Sequence, residues 1–241
     1  MRYILPATEA TRRLLITAGP TYEPIDAVRF IGNRSSGRLG SALADQAADT
    51  GWAVTLLLGP NAVTPTHDGV DVVRFQSTQD LHDLLQMHLP KADTLIMAAA
   101  VADYRPAPDE IDLEGKRKRE GGNLSIKLES TPDLLAGCSK LAREDQLLVG
   151  FALEPPDRMI SSATNKLTKK NIDLIVANAL ETMDSDSIEA TLLGNADRGV
   201  DFEQSTDGTI TKSAFAAWLI SHITPLTLSR MGIATESTTN G

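Results

Sequence analysis

Short apolar runs punctuate the chain at residues 14–18, 54–58, 72–75, 94–99, 147–151 and 174–177. They are rich in Leu, Ile and Val and too short for core-covering helices, the pattern of strands buried on both faces. Between most of them apolar residues recur every three or four positions. Leu39, Leu43 and Ala47 do so within 37–50, and Leu81, Leu84 and Leu85 within 78–89. Residues 132–141, 159–170 and 212–223 share that period, the last through Phe215, Leu219, Ile220 and Ile223. Strand–helix alternation predicts a parallel sheet with right-handed crossovers, a doubly wound α/β fold. Gly51 suits the C-terminal end of the first helix, and Trp52 opens the next strand.

Two regions break the rhythm. Residues 104–123 are polar, proline-containing and charged, after which Leu124, Ser125, Ile126, Lys127 and Leu128 alternate. The alternation predicts a strand with one wet face, an excursion from the main sheet that pairs with another subunit. Disorder over 106–122 accounts for the same composition. Residues 181–211 are acidic and weakly patterned, with 190–193 as an edge strand. Pro225 should stop the last helix, leaving 225–241 as a Ser/Thr-rich tail. The chain therefore divides into an N-terminal extension (1–12), one domain (13–224) and a flexible tail (225–241).

Composition narrows the function. With 241 residues, 41% apolar and 4% aromatic, the chain can build one substantial aliphatic core. Its formal net charge of −9 argues against nucleic-acid binding, which needs a positive surface. Any anionic ligand must be held by local cations or main-chain N–H groups. Cys138 is the sole cysteine and follows a helical period with Leu134, Leu135 and Leu141, as a buried structural thiol would. No apolar run reaches the length of a membrane span, and residues 1–10 lack the basic and apolar regions of a signal peptide, so a cytoplasmic protein is expected.

Four clusters could carry chemistry. The first strand runs into Thr17-Ala18-Gly19-Pro20-Thr21, and the next helix begins near Asn33-Arg34-Ser35-Ser36-Gly37-Arg38-Leu39-Gly40. Open α/β sheets bind ligands there, beyond strand C-termini and against unpaired helix N–H groups. Ser35, Ser36 and Gly37 make a candidate phosphate cradle; a serine N-cap with incidental glycines fits the same residues. Neither a Walker loop nor the Gly-x-Gly-x-x-Gly fingerprint is present. The second cluster is Ala98 to Pro106, where small residues leave room for a flat ligand. There Asp103 could bind a base, a ribose or a metal, or cap a turn before Pro106. The third is Lys116-Arg117-Lys118-Arg119, a charge neutraliser for a polyphosphate or a solvated charge run. The fourth is Lys166, Lys169 and Lys170, which share a helix face.

Taken in order, these residues resemble the phosphopantothenoylcysteine synthetase (phosphopantothenate–cysteine ligase) family, whose bacterial members form the C-terminal activity of the coenzyme A biosynthesis bifunctional protein. The matching stretches are Ile16 to Asp26, Val28 to Gly37, Ala99 to Arg105, Lys116 to Arg119, Thr131-Pro132-Asp133, Val149-Gly150-Phe151 and Asp173 to Asn178. They cover about residues 13 to 180. The resemblance implies a Rossmann-like, mostly parallel doubly wound sheet with an antiparallel dimerisation excursion. It also implies a two-step reaction with CTP, or ATP as in eukaryotic relatives. The carboxylate of 4′-phosphopantothenate attacks the α-phosphate, and the amine of cysteine then attacks the acyl-nucleotidate. Mg²⁺ would bridge the phosphates. By motif, Asn33 and Lys116 would be catalytic, and Ser35, Ser36 and Gly37 would face the substrate phosphate. Ala99, Ala100, Asp103, Pro132, Asp133, Leu134, Leu135, Phe151, Lys166 and Lys170 would bind the nucleotide. A homodimer is implied, as is a separate decarboxylase partner, because the flavin-dependent half has no counterpart here and FMN is not expected.

The sequence departs from the family at three points. Arg119 replaces the last lysine of the basic loop, Leu153-Glu154-Pro155 replaces Ala-Glu-Thr with an apparent insertion before Lys166, and the segment after Asn178 matches poorly. Two rival functions stand beside the ligase. An NAD(P)-dependent reductase would need Tyr-x-x-x-Lys, but Ala7, Asp26 and Pro108 hold the fourth positions after Tyr3, Tyr22 and Tyr104. A non-catalytic nucleotide-binding protein leaves Asn33 and Lys116 without a role.

Overall fold

The computed structural model describes residues 11–118, 121, 123–180 and 185–233. The chain opens with β1 (Arg13–Ala18), the hairpin β2 (Tyr22–Pro24) and β3 (Phe30–Gly32), and α1 (Arg38–Asp49). β4 (Ala53–Leu58), β5 (Val70–Arg74), α2 (Thr78–His88), β6 (Thr94–Met97), β7 (Tyr104–Pro106) and β8 (Leu128–Ser130) follow. Next come α3 (Leu134–Leu141), β9 (Leu147–Glu154), α4 (Met159–Lys170) and β10 (Leu174–Ala179). The chain continues through β11 (Ser187–Ile188), β12 (Ala190–Gly194), β13 (Glu203–Ser205), β14 (Ile210–Thr211) and α5 (Lys212–Arg230).

Among the described residues the main sheet runs β13-β12-β10-β9-β6-β1-β4-β5. The strands from β10 to β5 are parallel, while β12 and β13 are antiparallel to their neighbours. Every predicted parallel strand is present. The chain turns back after β5 to place β6 beside β1, so the order reverses between those two central strands. Residues of alternating parity on each strand face opposite layers. Ile16, Leu56, Ile96 and Val149 pack with Leu43 and Ala47 of α1 and with Phe215, Leu219 and Ile223 of α5. Leu15, Leu57, Leu95 and Leu148 meet Leu81 of α2, Leu135 and Cys138 of α3, and Leu167 of α4. Burial pushes the Cys138 thiol up to about 12, so it is an inert core residue.

Three expectations need correction. The excursion does not form over 124–128: β8 begins at Leu128 and pairs with β7 of the same chain, Tyr104 opposite Ser130 and Pro106 opposite Leu128. A bond from Ala107 N to Lys127 O (3.0 Å) ends the ladder, and the turn at Pro108–Glu110 diverts the chain. The strand at 190–193 is not an edge, because β13 pairs outside it. The last helix, α5, passes through Pro225 to Arg230, so the boundary at 224/225 falls inside it. Long-range anchors override the local cost of proline here. The buried hydroxyls of Thr227 and Thr94 lie 2.7 Å apart, and Arg230 Nη2 donates to Asp173 Oδ1 at 2.7 Å. The proposed tail beyond residue 233 and the extension over 1–10 lie outside the described residues. No described helix is long and apolar enough to cross a membrane.

Asp173 is fully buried and accepts from Arg198 Nε (2.6 Å), Arg230 Nη2 and the Leu148 N–H (2.7 Å), which ties β9, the β12–β13 connection and the end of α5 together. Replacing it leaves two largely buried guanidinium groups without their counter-ion. Asp173→Asn is expected to lose about 3 kcal/mol of stability, seen as a lower urea midpoint at unchanged m-value.

Candidate active site

The site begins with main-chain bonds between the ends of β1 and β6. Ala100 N donates to Gly19 O (2.9 Å) and Thr21 N to Ala100 O (3.2 Å). The Thr17 hydroxyl accepts from Ala99 N (3.1 Å), and that of Thr21 from Ala102 N (3.0 Å). Residues 98–103 are thereby fixed just beyond the sheet, at the point where strand order reverses.

Helix α1 points its N-terminus at the same place because glycines let it come close. Gly37 is its N-cap with φ of 69°, in the left-handed region, and a Cβ there would lie 2.6 Å from that of Ala62. A Cβ on Gly40 would approach that of Ala18 to 2.3 Å. No side chain caps the helix, so the N-cap explanation of Ser35 and Ser36 does not hold. The turn instead lines a cavity of about 470 Å³ with Asn33, Arg38, Ala98, Ala99, Ala100 and Phe151.

A second cavity, of about 400 Å³, lies on the other side of Ala99, Ala100 and Phe151, which border both. Asp103, Pro132, Asp133, Leu134, Leu135, Lys166 and Lys170 line it. All the residues that sequence reasoning gave to a nucleotide thus meet in one cavity, and those given to a phosphate meet in its neighbour. Asn33 stands at the junction: its Nδ2 donates to Ala100 O (3.3 Å) and Val101 O (3.0 Å). The main-chain carbonyl of Asp103 accepts from Thr131 N at 3.0 Å.

The cations of the second cavity are paired. Lys166 Nζ lies 2.5 Å from Glu154 Oε1, and Lys170 Nζ lies 2.6 Å from Asp133 Oδ2. The hydrogen bond from Lys166 holds the Glu154 carboxyl below its ordinary range. Burial opposes ionisation of Asp133, but the Lys170 hydrogen bond and the Ala136 N–H outweigh it, and that carboxyl is also lowered. Asp133 is in addition the N-cap of α3. Lys169, the third lysine of the helix, does not line the cavity.

Lys116 is exposed and borders neither cavity. Its neighbour Arg117 is structural. Arg117 Nη2 donates to Glu110 Oε2 (3.0 Å), Arg117 N to Asp26 Oδ2 (3.2 Å), and Arg29 Nη2 to Arg117 O (2.9 Å). The Arg29 guanidinium, 2.8 Å from Asp26 through Nε, holds that buried carboxyl far below the usual range. Residues 111–118 are therefore tied to the β2–β3 hairpin, which counts against disorder over that part of the loop. Arg119 lies outside the described residues.

Sequence reasoning missed Arg38, Asn178, Ile188 and Lys212, which also line the first cavity. Arg38 directly follows the glycine turn and could have been found from that position. Ile188 comes from the weakly patterned region after β10 and Lys212 opens α5, and only tertiary structure brings them near. Among the described residues, no group of three or more His, Cys, Asp and Glu side chains is arranged to hold a metal.

Known proteins resemble this chain in sequence and fold. A protein from an unknown prokaryotic organism named "Cysteine/Cysteine sulfinic acid decarboxylase" is 45% identical over 170 residues, 70% of this chain and 46% of its own length. The "Coenzyme A biosynthesis bifunctional protein CoaBC" of Mycobacterium bovis is 45% identical over 184 residues, 73% of this chain and 44% of its own. The chain thus spans under half the length of these curated relatives. A crystal structure of the C-terminal domain of a CoaBC protein superposes with a TM-score of 0.71 at 34% identity, covering 88% of this chain and 93% of that one. With residues 10–226 matching its profile, the chain belongs to the family described as the DNA/pantothenate metabolism flavoprotein C-terminal domain.

Proposed function

We propose that the chain is a cytoplasmic phosphopantothenate–cysteine ligase of coenzyme A biosynthesis. The observation that carries this reading is the meeting of two cavities across Ala99, Ala100 and Phe151 with the Asn33 amide at their junction. An acid in the first cavity and a nucleoside triphosphate in the second bring a carboxylate and an α-phosphate together there. The names of the relatives and of the solved neighbour support the same chemistry.

In the first step a carboxylate oxygen of 4′-phosphopantothenate bonds to the α-phosphorus and pyrophosphate leaves. In the second the cysteine nitrogen bonds to the acyl carbon, loses a proton, and the nucleoside monophosphate departs. The α1 N-terminus with Ser35, Ser36 and Gly37 holds the acid's phosphate. Lys166 and Lys170 hold the triphosphate, leaving Glu154 and Asp133 to do so. Leu134, Leu135, Pro132 and Phe151 flank the base. Mg²⁺ usually needs only one or two protein carboxylates besides phosphate oxygens, and would neutralise charge on the leaving pyrophosphate. Asp103, which lines the second cavity, is the proposed carboxylate for that part. Lys116 is proposed to neutralise charge in the acyl-transfer transition state. CTP is the proposed nucleotide.

We also propose a homodimer and a separate decarboxylase partner. The β2–β3 and β7–β8 ribbons and the loop between β7 and β8 expose Val28, Phe30, Tyr104, Leu113, Leu124 and Leu128, apolar groups that a second copy would cover. The decarboxylase is supported by the name of one relative and by the bifunctional nature of others.

Incubation with 4′-phosphopantothenate, cysteine and Mg²⁺ should give cysteine-dependent release of CMP when CTP is supplied; release of neither CMP from CTP nor AMP from ATP would sink the ligase. Asn33→Asp places a carboxylate against two carbonyl oxygens. It should still release pyrophosphate while product formation falls about 100-fold. Lys116→Gln is expected to lower kcat about tenfold or more while moving stability by less than about 0.5 kcal/mol, measured by turnover beside urea unfolding. Leu128→Asp should shift the chain from dimer to monomer in sedimentation equilibrium.

A further inference from the structure

One ion pair at the first cavity joins segments 148 residues apart: Arg38 Nη1 donates to Asp186 Oδ1. Arg38 is the first residue of α1, next to Gly37, and borders the cavity together with Ser35 and Ser36. Asp186 stands just before β11, two residues from Ile188. That segment is a folded unit: β11 pairs with β14, and Lys212 N donates to Asp186 O at 3.0 Å. Ile188 and Lys212 from the same unit also border the cavity.

The two side chains are 51% and 87% exposed, so their pairing contributes at most about 1 kcal/mol to folding. A phosphate dianion is a stronger partner for the guanidinium fork, with more charge and oxygens placed for two parallel hydrogen bonds. We propose that Arg38 reads the phosphate of the phosphorylated acid and that Asp186 is the resident anion it gives up in exchange. The proposal rests on the ligase reading for the identity of the acid. The pairs Lys166–Glu154 and Lys170–Asp133 are built the same way around the neighbouring cavity.

The exchange has a cost. A carboxylate held on the same fold competes at an effective concentration in the millimolar range. A phosphate dianion seated on the α1 N-terminus displaces it, whereas weakly bound monoanions do not. Asp186 therefore lowers affinity for the phosphorylated acid and keeps weakly bound anions off Arg38.

The test compares KM values for 4′-phosphopantothenate and for the nucleotide. Arg38→Gln should raise the first about tenfold or more while the second moves less than about twofold, and Arg38→Lys should recover part of the loss. Asp186→Asn should lower KM for 4′-phosphopantothenate about two- to fivefold, an effect that shrinks in high salt. An unchanged KM in Arg38→Gln, a parallel rise in both constants, or a raised KM in Asp186→Asn overturns the proposal. Calorimetric titration of wild type and Arg38→Gln with 4′-phosphopantothenate separates it from the ligase reading. A wild type without turnover whose binding is lost in Arg38→Gln refutes ligation and upholds the phosphate reader. An active wild type with unchanged binding in the variant does the reverse.

Discussion

The main-chain bonds that join Gly19 and Thr21 to Ala100 are the constraint on which the rest of the site depends. They hold two strand ends together at the place where the chain reverses its direction across the sheet. Both cavities use this seam as a common wall, so their separation is set by backbone geometry and not by mobile side chains. Small residues are required for it. Larger groups at 98–100 would fill the space on either side, and a side chain on Gly40 would drive α1 away from Ala18. The seam also orients Asn33, whose amide donates to carbonyl oxygens of the segment it holds.

Much of this was legible in the sequence because the responsible features are local. Buried parallel strands are continuous apolar runs, and α1, α2, α3 and α4 cover them with a three-to-four-residue period. The glycine–serine turn and the Ala99 to Asp103 segment sit at strand ends, which is where such folds place ligands. What escaped was set by distant partners. Pro225 is a strong local stop signal, yet the contacts of Thr227 with Thr94 and of Arg230 with Asp173 keep the helix going. Alternation over 124–128 looked like a strand, but β7 offers pairing only to 128–130. Ile188 and Lys212 carry no motif; they reach the first cavity because β11, β14 and α5 fold back over it.

The basic run at 116–119 shows how one pattern can serve two ends. Arg117 is committed to Glu110 and, through its main chain, to Asp26 and Arg29. That anchoring gives the loop a rigid base while leaving the exposed Lys116 beside it. A run of charges treated as one unit hides this division, since a structural guanidinium and an exposed ammonium look alike in sequence.

A chain of net charge −9 presents a repulsive field to any anionic ligand, the two proposed phosphorylated substrates included. Its cavities answer with local charge: the α1 N-terminus, Arg38, Lys166 and Lys170. Each of these three side chains has a carboxylate partner within the fold. Pairing offsets the positive charge of these three side chains within the fold and holds each of them in place. Preorganised cations are what phosphoryl and acyl transfer require, since charge builds up in the transition state faster than a flexible side chain could be recruited. The acidic composition that requires anions to be held by local groups also supplies the carboxylates that pair with those groups.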